Sequence, residues 1–267
     1  MSQATAGKGR GGTWFGGQPA ELKPLDADAA VEHLADLVAE AREAGLDKLA
    51  AALTGQGAVS DFLAAVFDLS PYLRDSVRRR PGILDALRET TAAHRIETLL
   101  AEIAALADDP DMTEARLMAG LRLPKTETHV LIALCDLARV ADTQTTVRRL
   151  SALADAAIGA AVSFLLREAH GQGKIALPDP ADPQRGSGWI LLAMGKLGAA
   201  ELNFSSDIDL ISFFDPEARA ITDPFEANDL FARLTRRLVR ILQDRTEDGY
   251  VFRTDLRLRP DPGSTPL

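Results

Sequence analysis

Across residues 143–170, Val147, Leu150, Ala154, Ala157, Ile158, Ala161 and Leu165 recur at steps of one, three and four. An apolar stripe kept up over that length commits the segment to one long amphipathic helix, which has to bury the stripe against other elements. The pattern begins earlier in the chain. Val31, Leu34, Val38 and Ala41 repeat it, while Gly45, the 54–57 stretch, Ser70-Pro71, Pro81-Gly82 and Asp109-Pro110 punctuate the run as helix ends. Residues 24–170 therefore read as a bundle of about seven helices joined by short turns, after a flexible tail over residues 1–23. Aromatic residues make up only 5% of the chain, so its cores are expected to be built from Ala, Leu and Val. No fixed-period self-similarity supports a solenoid.

The pattern stops at Gly171. Residues 171–188 contain four Gly and three Pro without hydrophobic periodicity and read as a linker. Beyond it the period becomes two. Residues 189–195 (WILLAMG), 207–214 (DIDLISFF) and 250–259 (YVFRTDLRLR) read as three strands, and 224–244 carries Phe225, Leu230, Leu234, Leu238 and Ile241 at helical spacing. The expected fold class is α+β, mainly helical, with an N-terminal helical bundle followed by a mixed-sheet domain over 189–267.

Charge and cysteine content narrow the functions available. Thirty Lys and Arg against 39 Asp and Glu give a net charge of −9, a sign that repels nucleic-acid backbones and argues against a general DNA or RNA binder. The only cysteine, Cys135, lies in an apolar run, so neither a disulfide framework nor a Cys-rich zinc site can be built. A reducing, cytoplasmic setting is expected. The first residues contain no apolar signal region, and no stretch reads as the roughly 18 apolar residues that span a bilayer, so no membrane partner is expected.

The chemistry concentrates in the second half. Asp207 and Asp209 stand two apart on a strand, so both leave one face while Ile208 and Leu210 leave the other, towards the core. Paired anions on one face repel unless a divalent cation sits between them, and oxygen donors of this kind suit Mg²⁺. Asp255, on the third strand among Arg253, Arg257 and Arg259, supplies a third carboxylate, and acid flanked by arginines suits a polyanionic substrate beside a metal. Ahead of the pair, Gly195 and Gly198 bracket a tight turn into a short helix, with Gly195, Lys196 and, further on, Ser206 as candidate phosphate or nucleotide contacts. The spacing excludes a Walker A loop, since Lys196 is followed by Leu197, and the three-glycine dinucleotide pattern also fails. A Gly after a strand, about ten residues, then Asp-x-Asp on the next strand and a distal third Asp is the nucleotidyltransferase arrangement.

Each piece has a plainer reading. An isolated Asp-x-Asp is more often a solvated strand edge, Lys196 can simply solvate a helix start, and Ser205 and Ser206 serve first as loop and cap residues. His33, His94, His129 and His170 show no metal-ligand spacing and read as structural, and Arg78 to Arg80 as a solvated helix end.

At MGKLGAAELNFSSDIDLI and again at FRTDLRLRP the chain resembles the glutamine synthetase adenylyltransferase and adenylyl-removing family. Members of that family carry two nucleotidyltransferase domains. Asn203 and the run from Asp255 to Pro260 match the first, whose pattern reads G-K-L-G-x-x-E-L-N-x-x-S-D-I-D-L and later V-D-x-R-L-R-P. Ala193 departs from a common Gly, DPGSTPL replaces F-G-x-S-G-P-L, and the family continues well past residue 267, so the chain resembles a fragment.

The resemblance implies phosphorolytic removal of AMP from an adenylylated tyrosine of glutamine synthetase. Phosphate attacks and ADP is released, while the second half adds AMP from ATP. Asp207 and Asp209 would then hold two Mg²⁺ ions, Asp255 would be shared ligand or base, and Arg257 and Arg259 would neutralise phosphate charge. Glutamine synthetase and the PII signalling protein are the implied protein partners. The alternative is a catalytically inert fragment that only docks such a partner.

Overall fold

The computed structural model describes residues 18–55 and 57–256. The described chain is a mainly helical α+β protein with one small mixed sheet. Its helices are α1 (Ala27–Glu43), α2 (Asp47–Thr54), α3 (Ala58–Leu69), α4 (Pro71–Arg79), α5 (Gly82–Ala86), α6 (Ala92–Ala105), α7 (Glu114–Leu137), α8 (Thr143–Gly171), α9 (Gly195–Gly198) and α10 (Ala227–Gln243). The strands are β1 (Trp189–Ala193), β2 (Ile208–Phe214) and β3 (Thr254–Asp255). Two compact units divide it, one made of residues up to Glu97 with Val130–Asp142, the other of Thr98–His129 with residues from Thr143 onward. This division falls inside α6 and α7 and not at residue 171, where the composition changes.

In the first unit, α1 starts where Asp26 accepts from the backbone N–H of Asp28 and Ala29, both at 3.0 Å, satisfying two of the orphan donors of a helix start. It ends at Gly45, whose φ of +72° permits the Leu46 N–H to reach back 2.8 Å to the Ala41 carbonyl. The buried stripe of α1 is Ala30, Leu37 and Ala41. The expected Val31 is instead 66% exposed, so the stripe sits one residue off the expected register at its start. Ser70 caps α4 by accepting from Leu73 N at 3.4 Å, and Pro71 follows at the first helical position. Phe62, Leu63 and Phe67 of α3, with Leu37 and Leu49, are among the unit's largest fully buried side chains. Arg78 is not a solvated helix end: it pairs with Asp36 at 3.1 Å and Glu40 at 2.7 Å and ties α4 to α1.

In the second unit, the buried face of α8 is broader than its stripe and includes Leu150, Leu153, Ala154, Ala157, Ala161 and Leu165. It packs against α10, whose buried Leu230, Leu234, Leu238 and Ile241 keep the three-four spacing. Contrary to expectation, α8 is long and apolar enough by length and composition to cross a membrane. Within the fold 61% of its most apolar stretch is buried, as in a core helix. The segment 171–188 is held and is no free tether. Ile175 bridges Ile221, Ala176 N donates to Ala220 O at 2.7 Å, and the Gln184 amide reaches Gly159 O and Ser163 Oγ of α8. Ser187 is fully buried.

The sheet order is β1-β2-β3, antiparallel between β1 and β2 and parallel between β2 and β3. The third strand is shorter than the alternation suggests: among the described residues only Thr254 and Asp255 pair, Thr254 with Ile208 and Asp255 with Asp209.

Candidate active site

The strand alternation places its residues as expected. Ile208 and Leu210 are buried at 0% and 1%, while Asp209 is half-buried and Asp207, one residue ahead of β2, is exposed. Parallel pairing sets Asp209 directly opposite Asp255 on β3. The glycines of M-G-K-L-G are explained by close approach. Gly195 has φ +54°, and a Cβ there would lie 2.5 Å from the Asp209 Oδ2 atom. A Cβ at Gly198 would lie 2.4 Å from the Ala193 carbonyl oxygen. The turn between β1 and α9 thus folds tightly only without side chains at both positions, and it presses the Asp209 carboxylate against bare backbone. Lys196 is exposed on this single-turn helix, and Ser206 sits in a turn in which its N–H reaches Asn203 O at 3.3 Å.

Asp207 has a different partner. The Arg253 guanidinium donates through Nε to its Oδ1 and through Nη2 to the Ser205 carbonyl at 2.8 Å. The hydrogen bond and charge of Asp207 raise the Arg253 pKa above its ordinary value. Among the described residues no group of three or more His, Cys, Asp and Glu side chains is gathered closely enough to hold a metal ion. Asp209 and Asp255 oppose each other in register, and Gly195 leaves room for the Asp209 carboxylate.

A cleft of about 660 Å³ opens beside them. Asp207 and Asp255 line it together with Arg236 of α10, Arg245, Tyr250 and Arg253. Of the residues expected from sequence, the cleft collects these two aspartates; Asp209, Gly195, Lys196 and Ser206 lie off its wall, and Arg257 and Arg259 lie outside the described residues. Arg236, Arg245, Tyr250 and Gln243 were missed. The last two have clear local roles. Gln243 Oε1 accepts from Thr254 N at 3.1 Å, steadying the start of β3, and the Tyr250 ring lies 5.4 Å from the Arg245 guanidinium and 5.3 Å from Lys125 Nζ.

Helix α7 fixes the loop that carries these groups. Arg122, fully buried, donates to the carbonyls of Gly249 at 2.9 Å, Met118 at 2.6 Å and Asp244. Burial lowers its pKa, with Asp244 and Asp248 opposing. One turn on, burial pushes Lys125 down to about 8, helped by the nearby Arg122 charge. His129 packs edge-on to Phe204 and Phe252 at 6.0 and 6.1 Å, its Nε2 buried without a hydrogen-bond partner. Burial, then Lys125, pushes it down to about 3. Arg237 of α10 pairs with Glu114 of α7 at 2.7 Å and with Glu168 of α8. Burial pushes the Glu114 carboxyl up, but the bonds from Arg237 and Arg240 outweigh it and leave it below its ordinary range.

Residues 60–267 match the sequence profile of the family described as glutamate-ammonia ligase adenylyltransferase. Three similar proteins carry the name bifunctional glutamine synthetase adenylyltransferase/adenylyl-removing enzyme. Those of Mesorhizobium japonicum, Brucella suis and Bartonella henselae are 63%, 56% and 45% identical over 246 residues, which is 92% of this chain. The chain spans about a quarter of the length of these relatives, 25% in each case. A match over residues 60–267, most of the sequence, means that the chain belongs to the glutamate-ammonia ligase adenylyltransferase family.

Proposed function

We propose that the chain carries the adenylyl-removing site of such a protein, a cytoplasmic, Mg²⁺-dependent nucleotidyltransferase that acts on adenylylated glutamine synthetase. The observation that supports this reading best is the register of Asp209 against Asp255, beside Asp207, at an arginine-lined cleft. Carboxylates and guanidiniums side by side suit a reaction at phosphorus, where charge develops on oxygens that need both.

Inorganic phosphate enters the cleft, where Arg236, Arg245 and Arg253 bind its oxygens. Arginine forks are suited to this because they match phosphate geometry at two points. Asp207, Asp209 and Asp255 would hold Mg²⁺, which when bound supplies charge neutralisation at the attacking and leaving oxygens. The phosphate oxygen forms a bond to the α-phosphorus as the bond from phosphorus to the tyrosine oxygen breaks, giving ADP and a tyrosine oxygen that takes a proton. The chain's own contribution is alignment: Arg122 and Gln243 hold the loop and strand that present Arg245, Tyr250 and Asp255.

Incubating the chain with adenylylated glutamine synthetase, Mg²⁺ and phosphate should release ADP. ATP-dependent AMP incorporation in place of ADP release would reverse the assigned direction. Binding of glutamine synthetase with neither product would make the chain a docking fragment.

A further inference from the structure

We propose that Ser151 of α8 is a positioning residue for the cleft, its hydroxyl holding the loop of residues 199–207 in the bent form that brings Asp207 to the cleft wall. The inference adds a residue to the nucleotidyltransferase reading above and rests on it for the effect on turnover. Its first support is how the hydroxyl is used. Ser151 Oγ donates to the Val147 carbonyl of its own helix at 2.9 Å and accepts from the Leu202 N–H at 3.1 Å. The first bond is the usual one for a serine inside a helix, and it satisfies the hydroxyl proton locally. The second joins residues 51 positions apart. With the proton committed to Val147, the oxygen's lone pairs are left for the loop, so Ser151 offers it a fixed acceptor.

The second support is strain. Ala200 and Ser205 hold φ of +57° and +58°, left-handed conformations that residues other than glycine adopt when their surroundings impose them. Ala200 closes the turn after α9, where Glu201 N reaches back 2.8 Å to Lys196 O, and Ser205 comes two residues before Asp207. Leu202 lies between the two strained positions. It is buried, and so is the Ser151 side chain that fastens its backbone.

The third support is the contrast with the loop's other fastening. At its far end Arg253 donates to the Ser205 carbonyl and the Asp207 carboxylate. Those two side chains are 55% and 48% exposed, and water and salt compete for an ion pair that open. The Leu202 bond meets no such competition. Without its acceptor a buried N–H is stranded, and the loop can hydrate it only by leaving its seat on α8. Asn203, Ser206 and Asp207 follow Leu202 directly in the chain, so they would shift with it.

The test reads the loop and the reaction separately. Amide hydrogen exchange, followed by mass spectrometry on peptides covering residues 199–207, should speed up about ten-fold in Ser151→Ala and stay near wild type in Ser151→Thr, which keeps the oxygen. In the ADP-release assay Ser151→Ala should lower kcat about ten- to a hundred-fold while KM for adenylylated glutamine synthetase changes less than about two-fold, and Ser151→Thr should restore most of the loss. Ala157→Gly, which loosens α8 further along, should lower the melting temperature and leave kcat near wild type. Unchanged loop exchange in Ser151→Ala overturns the inference. Equal kcat losses in Ser151→Ala and Ala157→Gly overturn it too, since Ser151 would then act only through the packing of its helix. If wild type releases no ADP, the phosphorolytic reading falls, and loop exchange alone decides whether Ser151 holds the loop. Should Ser151→Ala fail to fold, as judged by circular dichroism, Ser151→Cys, whose sulfur is a weaker acceptor, carries the same comparison.

Discussion

The two units bury different things. In the first, the buried polar side chains among the described residues are two serines, Ser60 and Ser76. Ser60 answers a local need, its hydroxyl donating to Leu53 O at 3.1 Å and Gly55 O at 2.9 Å. In the second, one stretch of α7 buries Arg122, Lys125, Glu127 and Thr128. Arg122 acts at a distance: its bond to Gly249 O joins residues 127 positions apart in sequence. The difference teaches where each unit's geometry comes from. Apolar volume and local caps shape the first, and volume tolerates substitution. A buried cation's hydrogen bonds shape the loop beside the cleft, and these cannot be trimmed without leaving groups unsatisfied.

Removing that cation should give the largest effect. Arg122→Met removes one donor from each of three carbonyls, of which Gly249 O keeps the Thr246 N–H, and should cost about 2–4 kcal/mol. A volume-preserving change in the first unit, Leu63→Met, should cost under about 1.5 kcal/mol. Urea unfolding followed by circular dichroism compares them. Equal losses would erase the distinction between the units.

The next effect falls on chemistry. Asp209→Asn preserves volume but removes a charge at the start of β2, and ADP release should drop at least ~10²-fold with the fold retained. Gly195→Ala sharpens the point, because it acts on the Asp209 carboxylate through a steric contact and leaves its charge in place. Its methyl would press on Asp209 Oδ2 in a left-handed backbone, so activity should fall along with a stability loss of about 1–3 kcal/mol. Wild-type turnover in both variants would remove Asp209 from the site.

How legible these parts were in the sequence follows from how local their causes are. The alternation about Ile208 and Leu210 and the two glycines of M-G-K-L-G are settled within a few residues, and the structure places them where the spacing points. The start of α1 was less legible, because Ala30 and Val31 are both apolar and only packing selects between them. Residues 171–188 look like a tether because Gly and Pro break periodicity, yet Gln184 and Ile175 anchor them through partners far along the chain. The cleft's Arg236 lies on the polar side of an amphipathic helix, where a ligand-facing arginine and a solvated one look alike. Helix α8 shows the same limit, since an apolar helix buried by protein and one buried by lipid share a composition.

A smaller effect separates the units by pH. His129 of the second unit has its pKa pushed from 6.5 down to about 3, chiefly by burial. As pH falls below 6.5 the unfolded chain takes up a proton that the folded chain refuses until about 3, so stability present above 6.5 is lost on acidification. At pH 5 the loss should be about 2 kcal/mol. His129→Phe keeps a ring between Phe204 and Phe252 and should remove that part of the acid sensitivity, measured by urea midpoints at pH 7 and pH 5. If His129→Phe leaves the acid slope unchanged, burial of that ring does not govern acid stability.

The smallest effect tests whether the first unit truly dispenses with charge. Arg78 of α4 bonds Glu40 and Asp36 of α1, and the Glu40 hydrogen bond leads the causes that raise its pKa. Its geometry is as good as that of Arg237 in the second unit, yet its side chain is 33% exposed and Asp36 is 51% exposed, so water competes for every partner. Arg78→Gln should therefore cost about 0.5–1 kcal/mol at low salt and less in about 0.5 M NaCl, because α1 and α4 remain joined through buried Leu37, Leu73 and Val77. Glu114→Gln, which weakens the clasp of Arg237 and Arg240 on α7, should cost more and respond less to salt, being only 21% exposed. The paired measurement is a salt series of urea unfolding for both variants. If Arg78→Gln costs over about 2 kcal/mol and salt leaves that cost unchanged, the first unit also depends on its ion pairs, and apolar volume alone does not account for how its helices are held.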